Sequence, residues 1–337
     1  MIRLVGKFQR VVLGIMGLVL ILSGALPVSQ VRAQDPEAGF FVGMVRGIDI
    51  NPDSDQIALG YADKIEIRTL ETGALLRELA TPVRAQAWGN GLIDWHPSLA
   101  LLAVGDRQSV ALWNPETGEH LRTVELDDQL SNMAWYPEGE ILIVGLWDGT
   151  LWIVDLAETA PQLLLKAENP ISALAVSSQG QIAFGQKDSS GLISIMTLEG
   201  QIVQTLSAAP NLPYPVVLLA WSGDDAYLSV NLDQGDVRGY SLIWEVATGQ
   251  ITTQMHLPTA SMFTWYEDED EPLLTAITHL VDMETDQTTI DTFTITGEEL
   301  HDLTLPKVRP FFIVWAKSTL VIVDTEGYLH RVVRVHS

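Results

Sequence analysis

The stretch that decides the fold begins with Asn132-Met133-Ala134-Trp135-Tyr136-Pro137 and continues through Ile141-Leu142-Ile143-Val144-Gly145 to the turn Trp147-Asp148-Gly149. Short apolar segments separated by a corner and closed by a turn are typical of β-strands, and they lack the 3.6-residue periodicity of a helix. Asp and Gly suit the turn because Asp tolerates the left-handed conformation and Gly has no Cβ to clash. The stretch therefore predicts two strands of a small antiparallel sheet.

The same unit recurs along the chain. Successive corners step by 45, 40, 41, 45, 44 and 50 residues, at Ile50, Trp95, Trp135, Val176, Trp221, Trp265 and Trp315. A period of roughly 40–45 residues is that of one four-stranded blade of a β-propeller. We predict an all-β fold, a seven-bladed β-propeller of four-stranded antiparallel blades in residues 34–337, preceded by a signal peptide in residues 1–33.

Two segments resemble the WD40 repeat family, whose third strand carries a Trp-Asp pair before a Thr-Gly turn. They are Val110-Ala111-Leu112-Trp113-Asn114-Pro115-Glu116-Thr117-Gly118 and Leu242-Ile243-Trp244-Glu245-Val246-Ala247-Thr248-Gly249, both with the Asp replaced. The resemblance covers most of the chain after residue 33 and implies an interaction scaffold. No Gly-His dipeptide occurs, so the family's Asp-His-Ser-Trp hydrogen-bond network is not carried over to this chain.

The last unit shows only three strand-like segments, near 309–316, 320–323 and 328–335. Propellers that resemble this one commonly recruit an N-terminal strand as the missing fourth. The stretch Gly39-Phe40-Phe41-Val42 precedes the first blade and is predicted to fill that place. Closure of this kind protects an exposed sheet edge.

The N-terminus has the order of a secretory signal peptide. Arg3, Lys7 and Arg10 precede an uncharged run from 11 to 26, and Val31-Arg32-Ala33 supplies a cleavage site before Gln34. The uncharged run is shorter than the ~20 residues that span a bilayer comfortably. We therefore expect an exported protein, periplasmic or extracellular, without membrane insertion after cleavage. An uncleaved N-terminal helix that anchors the protein to the membrane is the alternative.

Charge and cysteine content narrow the possible partners. Residues 1–33 hold four of the 19 Lys and Arg and none of the 43 Asp and Glu, so the remainder carries a formal charge of −28. This balance repels phosphate backbones and anionic headgroups, which disfavours nucleic acid and anionic lipid as partners. The chain has no cysteine, which excludes disulfides and a cysteine nucleophile. We expect a monomer that binds a protein or peptide.

Motifs for catalysis are missing from the sequence. No nucleophile elbow or phosphate-binding loop occurs, and none of the seven histidines is spaced as a metal ligand with another. His96, between Trp95 and Pro97, is interpreted as a packed or capping residue. The acidic run Glu267–Glu271 is interpreted as a solvated loop. We predict no catalytic residue, no metal site and no cofactor, hence no enzyme.

The repeated tryptophans are predicted to pack blades, because they share one position in the repeat. Trp147 differs, since it lies at a turn beside Asp148. Together with Asp148, and with Arg107, Lys64 and Lys187 at equivalent turns, it is predicted to belong to a partner-binding face. The turn aspartates are expected mainly to stabilise their turns: Asp63, Asp106, Asp148, Asp188, Asp233 and Asp324. Two other functions stay open: a metal-dependent propeller hydrolase or lyase, and a module that binds carbohydrate or cell wall.

Overall fold

The fold was determined from a computed structural model that describes residues 39–52, 55–81, 92–207, 214–234, 238–258, 262–267, 271–282 and 287–333. Within these ranges, 28 strands form seven four-stranded antiparallel sheets. The predicted seven-bladed propeller of four-stranded blades is therefore confirmed. The predicted signal peptide lies outside the described residues. Nothing in the described ranges forms a helix with the length and apolar character needed to cross a bilayer.

Within a blade the strands lie side by side in chain order, and we number them along the chain. Blade 1 contains β2 (Gly47–Ile50), β3 (Gln56–Gly60), β4 (Ile65–Thr69) and β5 (Leu75–Leu79). Blade 2 contains β6 (Ile93–Trp95), β7 (Leu102–Asp106), β8 (Ser109–Asn114) and β9 (Glu119–Glu125). Blade 3 contains β10 (Leu130–Trp135), β11 (Ile141–Leu146), β12 (Thr150–Asp155) and β13 (Gln162–Lys166).

The remaining blades follow the same order. Blade 4 contains β14 (Ile171–Val176), β15 (Ile182–Gln186), β16 (Leu192–Met196) and β17 (Ile202–Ser207). Blade 5 contains β18 (Val216–Trp221), β19 (Tyr227–Leu232), β20 (Arg238–Glu245) and β21 (Gln250–Pro258). Blade 6 contains β22 (Phe263–Glu267), β23 (Pro272–Asp282), β24 (Gln287–Phe293) and β25 (Glu299–Pro306). Blade 7 contains β26 (Pro310–Ala316), β27 (Thr319–Asp324), β28 (Tyr328–Val333) and, from the N-terminal side, β1 (Phe40–Phe41).

The ring closes through β1, as predicted from the missing fourth strand. Phe40 pairs with Leu329 and Phe41 pairs with Tyr328 in antiparallel register. Beyond the pairing, the N–H of Val42 donates to the Gly327 carbonyl at 2.8 Å. The first strands β2 and β26 also touch, so the two ends of the propeller sequence meet in space.

The apolar cores lie between blades rather than inside single sheets. One cluster joins Ile65 and Ile67 of blade 1 to Trp95 and Leu102 of blade 2, and the other joints have equivalent clusters. A single four-stranded sheet has no partner for its apolar face, whereas a neighbour in the ring supplies one. Burial between neighbours therefore explains why the repeat assembles as a ring.

Glycines on the second strand let adjacent blades approach closely. A Cβ on Gly145 would lie 2.8 Å from the Ile171 side chain of the next blade, and one on Gly185 would lie 2.5 Å from Val216. Ile171 and Val216 begin the first strands of blades 4 and 5. The small residue is needed because the neighbouring inner strand packs directly on the backbone at this level.

Hydrogen bonds at the inner end of the blades confirm the packing role predicted for the repeated tryptophans. The indole Nε1–H of Trp135 donates to the Asp94 carbonyl of the preceding blade at 2.9 Å. Trp265 makes the equivalent bond to Ala220 at 3.0 Å. Because the indole also packs in the core, one side chain joins two blades by apolar contact and by a hydrogen bond.

The outer strands carry a second set of contacts between blades. Arg77 on β5 donates to the carbonyl of Thr117 in the next blade at 2.8 Å, and Arg122 on β9 donates to Thr159 at 2.7 Å. Gln204 on β17 makes the corresponding bond to Val246 at 2.8 Å. In each case the acceptor lies in the turn between the third and fourth strands. These bonds hold the outer rim without the Gly-His motif.

Candidate functional site

The turns between second and third strands lie on one face of the ring, together with the connections between blades. We call this face the loop face. Main-chain hydrogen bonds tie each turn to the connection before its blade: Trp147 N–H donates to Gln129 at 2.9 Å, and Lys187 N–H donates to Pro170 at 2.8 Å. Asp233 N–H makes the same bond in blade 5, to a carbonyl at 3.0 Å. Trp147, Lys187 and Asp233 therefore hold one repeated position in three consecutive blades.

A cavity of about 210 Å³ opens on the loop face beside these turns. Its walls come from blades 2 to 5, so it lies to one side of the ring axis. Most of the wall is apolar, and includes Met133, Leu174 and Val217. Apolar side chains together with polar groups that fix a ligand's orientation are the usual composition of a binding pocket.

The rim of the cavity brings together two of the residues predicted to bind a partner. The ammonium of Lys187 lies 4.5 Å from the centroid of the Trp147 ring, which is the geometry of a cation–π contact. Both side chains line the cavity. The Trp147 Nε1–H and the hydroxyl of Ser172, a third lining residue, are buried and have no hydrogen-bond partner in the described part of the chain.

The inner wall holds an aspartate that the sequence analysis did not single out as a site residue. Asp94 lines the cavity, and its Oδ2 accepts the N–H of Trp135 at 2.8 Å. On the neighbouring inner strand, Asp49 Oδ2 accepts the N–H of Trp95 at 2.6 Å. Burial raises the pKa of Asp49 to about 7. Burial, together with the charge of Asp49, raises the pKa of Asp94 well above its ordinary value.

The other predicted partner-binding residues lie elsewhere on the loop face. Lys64 is engaged by two carboxylates of its own blade, Glu66 at 2.8 Å and Glu78 at 2.7 Å, and does not line the cavity. Arg107 is exposed and also stands outside the cavity wall. Asp148 turns its carboxylate back to Thr150, whose N–H donates to it at 2.9 Å.

The stabilising role predicted for the turn aspartates is confirmed where their contacts are described. Asp188 accepts the N–H of Ser190 at 2.8 Å, in the manner of Asp148, and Asp324 accepts the N–H of Glu326 at 3.0 Å. Asp106 accepts the N–H of the next residue at 2.7 Å. These bonds fix the turn conformation.

His96 is packed and capping, as predicted. Its Nδ1 accepts the N–H groups of Ser98 and Leu99 at 3.1 and 3.0 Å. The proton therefore resides on Nε2, which donates to the Gly139 carbonyl of the next blade at 2.9 Å. Burial lowers the pKa of His96, which keeps the ring in this neutral form.

The acidic segments are structural where they are described. Asp225 joins blades 4 and 5, because its carboxylate accepts the N–H groups of Ser178 and Gln179 at 2.9 and 2.8 Å. Glu267 accepts the N–H of Gly223 at 2.6 Å, while residues 268–270 of the predicted solvated loop lie outside the described residues. No group of three His, Asp or Glu side chains with metal-binding geometry occurs in the part of the chain that the structure describes.

Comparisons with known proteins bear on the family. No protein-family model matches the chain. It is 24% identical over 208 residues to echinoderm microtubule-associated protein-like 2 of Rattus norvegicus, covering 58% of this chain and 31% of the relative. It is 26% identical over 169 residues to the anaphase-promoting complex subunit cdc20 of Dictyostelium discoideum, covering 49% and 32%. The chain thus spans about a third of the length of these two relatives.

Solved structures agree with the fold. The beta-propeller domain of Cps50 (Swd1) from Myceliophteria thermophila superposes with a TM-score of 0.68 at 16% identity, over 88% of this chain and 99% of that one. A chain of the mitotic checkpoint complex superposes with a TM-score of 0.65 at 15% identity, over 90% and 93%. The chain is a WD40-like β-propeller.

In this WD40-like propeller the sequence predicts some of the residues that line the cavity but not others. Trp147 was found because a large aromatic residue at a turn gains little from the core. Asp94 carries a weaker signal: it stands one residue before the corner Trp95, as Asp49 stands before Ile50. Ser172 carries none, since only the ring geometry brings the start of its strand beside the turns.

Proposed function

We propose that this chain is a non-catalytic scaffold that binds a protein or peptide partner through its loop face. The observation that carries the proposal is the cavity whose rim brings Trp147 and Lys187 together over an apolar wall. Tryptophan, tyrosine and arginine side chains in desolvated pockets are the usual anchors of protein interfaces, and Trp147 is of this type. The named relatives support the same role, since one is called microtubule-associated and another is a subunit of a complex.

Capture of partners from a native extract of the source cells tests this role. Proteins retained by the immobilised wild type are identified and quantified, and the variants Trp147→Ala and Lys187→Ala are compared with it. A specific partner should be retained several-fold less by both variants. Lys317→Ala is the matched control, because Lys317 is exposed in a turn at the opposite face, between β26 and β27.

Equal thermal unfolding of all four proteins shows that the variants are folded. If the retained proteins are the same in the wild type and in both loop-face variants, the loop face is not the binding surface. Loss of the partner with Lys317→Ala alone places binding on the other face. Either outcome overturns the proposal.

We further propose that the scaffold works outside the cytoplasm. The support is the order of basic residues, apolar run and small-residue site in residues 1–33. Expression of the full chain in its source cells, followed by intact-mass measurement of the purified protein, tests export and cleavage together. A mature protein that begins at Gln34 is expected. An intact N-terminus in a protein recovered with membranes supports the anchored alternative instead, and an intact N-terminus in the cytosol excludes export.

A further inference from the structure

The rim of the cavity holds three donors that have no acceptor among the described residues. Lys187 forms no ion pair with any described residue, although the chain has 43 acidic and 19 basic residues. The Trp147 Nε1–H and the Ser172 hydroxyl are likewise unpartnered. Buried polar groups are usually hydrogen-bonded, so two orphaned groups beside one unpaired cation are a deviation that requires an explanation.

Both aspartates that line the same cavity are already engaged. Asp94 accepts the N–H of Trp135, and Asp233 is engaged in an interaction of its own. The two aspartates stand on blades 2 and 5, whereas the three donors stand together on blades 3 and 4. The unpartnered groups of the rim are therefore hydrogen-bond donors, and one of them is a cation. They fit a ligand with an acceptor that carries negative charge.

The wall next to these donors is apolar. Met133 and Leu174 lie on the inner strands of blades 3 and 4, and Pro215 and Val217 extend the surface into blade 5. A ligand that fits both regions presents a carboxylate beside an aliphatic side chain. Burial of the aliphatic group supplies affinity, and the charge-assisted hydrogen bonds fix its orientation.

We propose that the rim between blades 3 and 4 binds a carboxylate of the partner peptide, with the neighbouring aliphatic side chain against Met133 and Leu174. The assignment rests on the proposed function and names the chemistry of its ligand. Lys187 donates to the carboxylate from its position over Trp147, and Ser172 adds a neutral donor.

Four labelled tetrapeptides test the proposal by fluorescence anisotropy with the full chain. The first ends in leucine with a free C-terminal carboxylate, and the second is its C-terminal amide. The third is the amide with glutamate before the leucine, and the fourth is the amide with lysine there. Binding of the first but not the third assigns the carboxylate to a peptide C-terminus, and binding of the third assigns it to an acidic side chain.

Variants show whether the named donors are responsible. Lys187→Met keeps the aliphatic stem over Trp147 but removes the charge, and should weaken binding of the carboxylate peptide about tenfold or more. Ser172→Ala should weaken it by a smaller factor of about three. Lys317→Met, in the exposed turn of the opposite face, should leave the affinity unchanged. None of these changes should lower the melting temperature, since Lys187 and Ser172 carry no side-chain hydrogen bond in the described residues.

Three outcomes overturn the proposal: tightest binding of the lysine peptide, equal affinity of wild type and Lys187→Met, or no binding of either carboxylate peptide. The capture experiment separates this failure from that of the proposed function. If capture of a partner depends on Trp147 while no carboxylate peptide binds, only the ligand chemistry is wrong. If capture does not depend on Trp147, the loop face itself is excluded.

Discussion

The joint between blades 2 and 3 and the joint between blades 7 and 1 differ in the contacts of their inner strands, although an arginine donates to a turn carbonyl of the next blade in both. At the first, polar contacts run from the inner to the outer strand. Asp94 accepts the N–H of Trp135 at 2.8 Å and receives its indole N–H on the carbonyl at 2.9 Å. His96 reaches Gly139 at 2.9 Å, and Arg122 donates to the next blade at the outer rim.

The joint between blades 7 and 1 lacks the inner acceptor. Val314 stands where blade 2 has Asp94, and the N–H of Ile50 is accepted instead by its own neighbour Asp49 at 2.9 Å. Apolar packing is continuous here, and the N–H of Val42 donates to Gly327 at 2.8 Å just beyond β1. A cavity of about 500 Å³ remains between the two blades at the face opposite the loop face.

The difference shows how a repeat becomes a closed ring. An inner joint is specified by residues that are near in sequence, at a distance of one repeat. The joint between blades 7 and 1, which we call the seam, depends on a strand from the other end of the propeller sequence. The pairing of this strand must overcome the entropy of closing the whole chain. We therefore expect the seam to open first and the joint between blades 2 and 3 to resist longest.

The largest effect is expected from loss of the closing strand. Deletion of residues 39–42 exposes the edge of β28 and the apolar surface that Phe40 and Val42 cover. Val42 itself is 93% buried. Burial of a large apolar side chain contributes ~1.5–3 kcal/mol, so the free energy of unfolding should fall by roughly 3–5 kcal/mol. The melting temperature, followed by circular dichroism, should drop by about 10 °C.

The control for this deletion is Phe41→Ser. The Phe41 side chain is 66% exposed and its ring lies edge-on to Tyr328, so its replacement, which keeps the backbone pairing, should lower the melting temperature by much less. If the deletion and the control behave alike, or if neither changes the melting temperature, β1 does not hold the ring closed and the seam is not the weak joint.

An intermediate effect is expected at the joint between blades 2 and 3. Asp94→Ala removes the acceptor of the Trp135 N–H and leaves this donor unsatisfied at a cost of ~1–3 kcal/mol. Asp94→Asn retains an acceptor oxygen and should cost less. Urea unfolding at pH 5 measures both. Equal stability of Asp94→Ala and the wild type at this pH would show that the hydrogen bond between Asp94 and Trp135 does not strengthen the joint.

The same pair predicts how stability depends on pH. Burial raises the pKa of Asp49 to about 7 and raises that of Asp94, so the folded protein binds more protons than the unfolded chain between about pH 4 and pH 7. Stability contributed by the protonated pair is complete below pH 4 and decreases as the pH rises toward 7, by at most ~1.4 kcal/mol per pH unit and group.

Urea unfolding between pH 5 and pH 8 measures this decrease. The double variant Asp49→Asn/Asp94→Asn should flatten the profile, while a substitution at the exposed turn residue Asp63 should leave the slope as in the wild type. A profile that keeps its slope in the double variant assigns the pH dependence to other groups.

The fold was predictable because the repeat imposes the same burial at the same positions. Corner tryptophans such as Trp135 recur in phase, and the lack of a fourth strand in the last unit required Gly39-Phe40-Phe41-Val42. The site was predictable only in part. Lys64 and Lys187 occupy similar turns, but Glu66 and Glu78 engage the first, whereas the second meets Trp147 across a blade boundary.

The smallest effect is expected from grafting an acceptor into the seam. Between blades 6 and 7 the hydroxyl of Thr264 accepts the N–H of Trp315 at 3.4 Å, and Val314 is the equivalent residue in blade 7. Val314→Thr alone should change the free energy of unfolding by less than ~0.5 kcal/mol, because Asp49 already satisfies the N–H of Ile50.

Val314→Thr should stabilise the protein only when the Asp49 carboxylate is removed. In an Asp49→Ala background the N–H of Ile50 is orphaned, and Val314→Thr should restore up to ~1 kcal/mol of the loss, a coupling measured by a double-mutant cycle in urea. In an Asp94→Ala background the same threonine should restore nothing, because it faces blade 1 and not Trp135. Equal effects in the two backgrounds would mean that the hydroxyl acts on general packing, and that the seam is not limited by its missing acceptor.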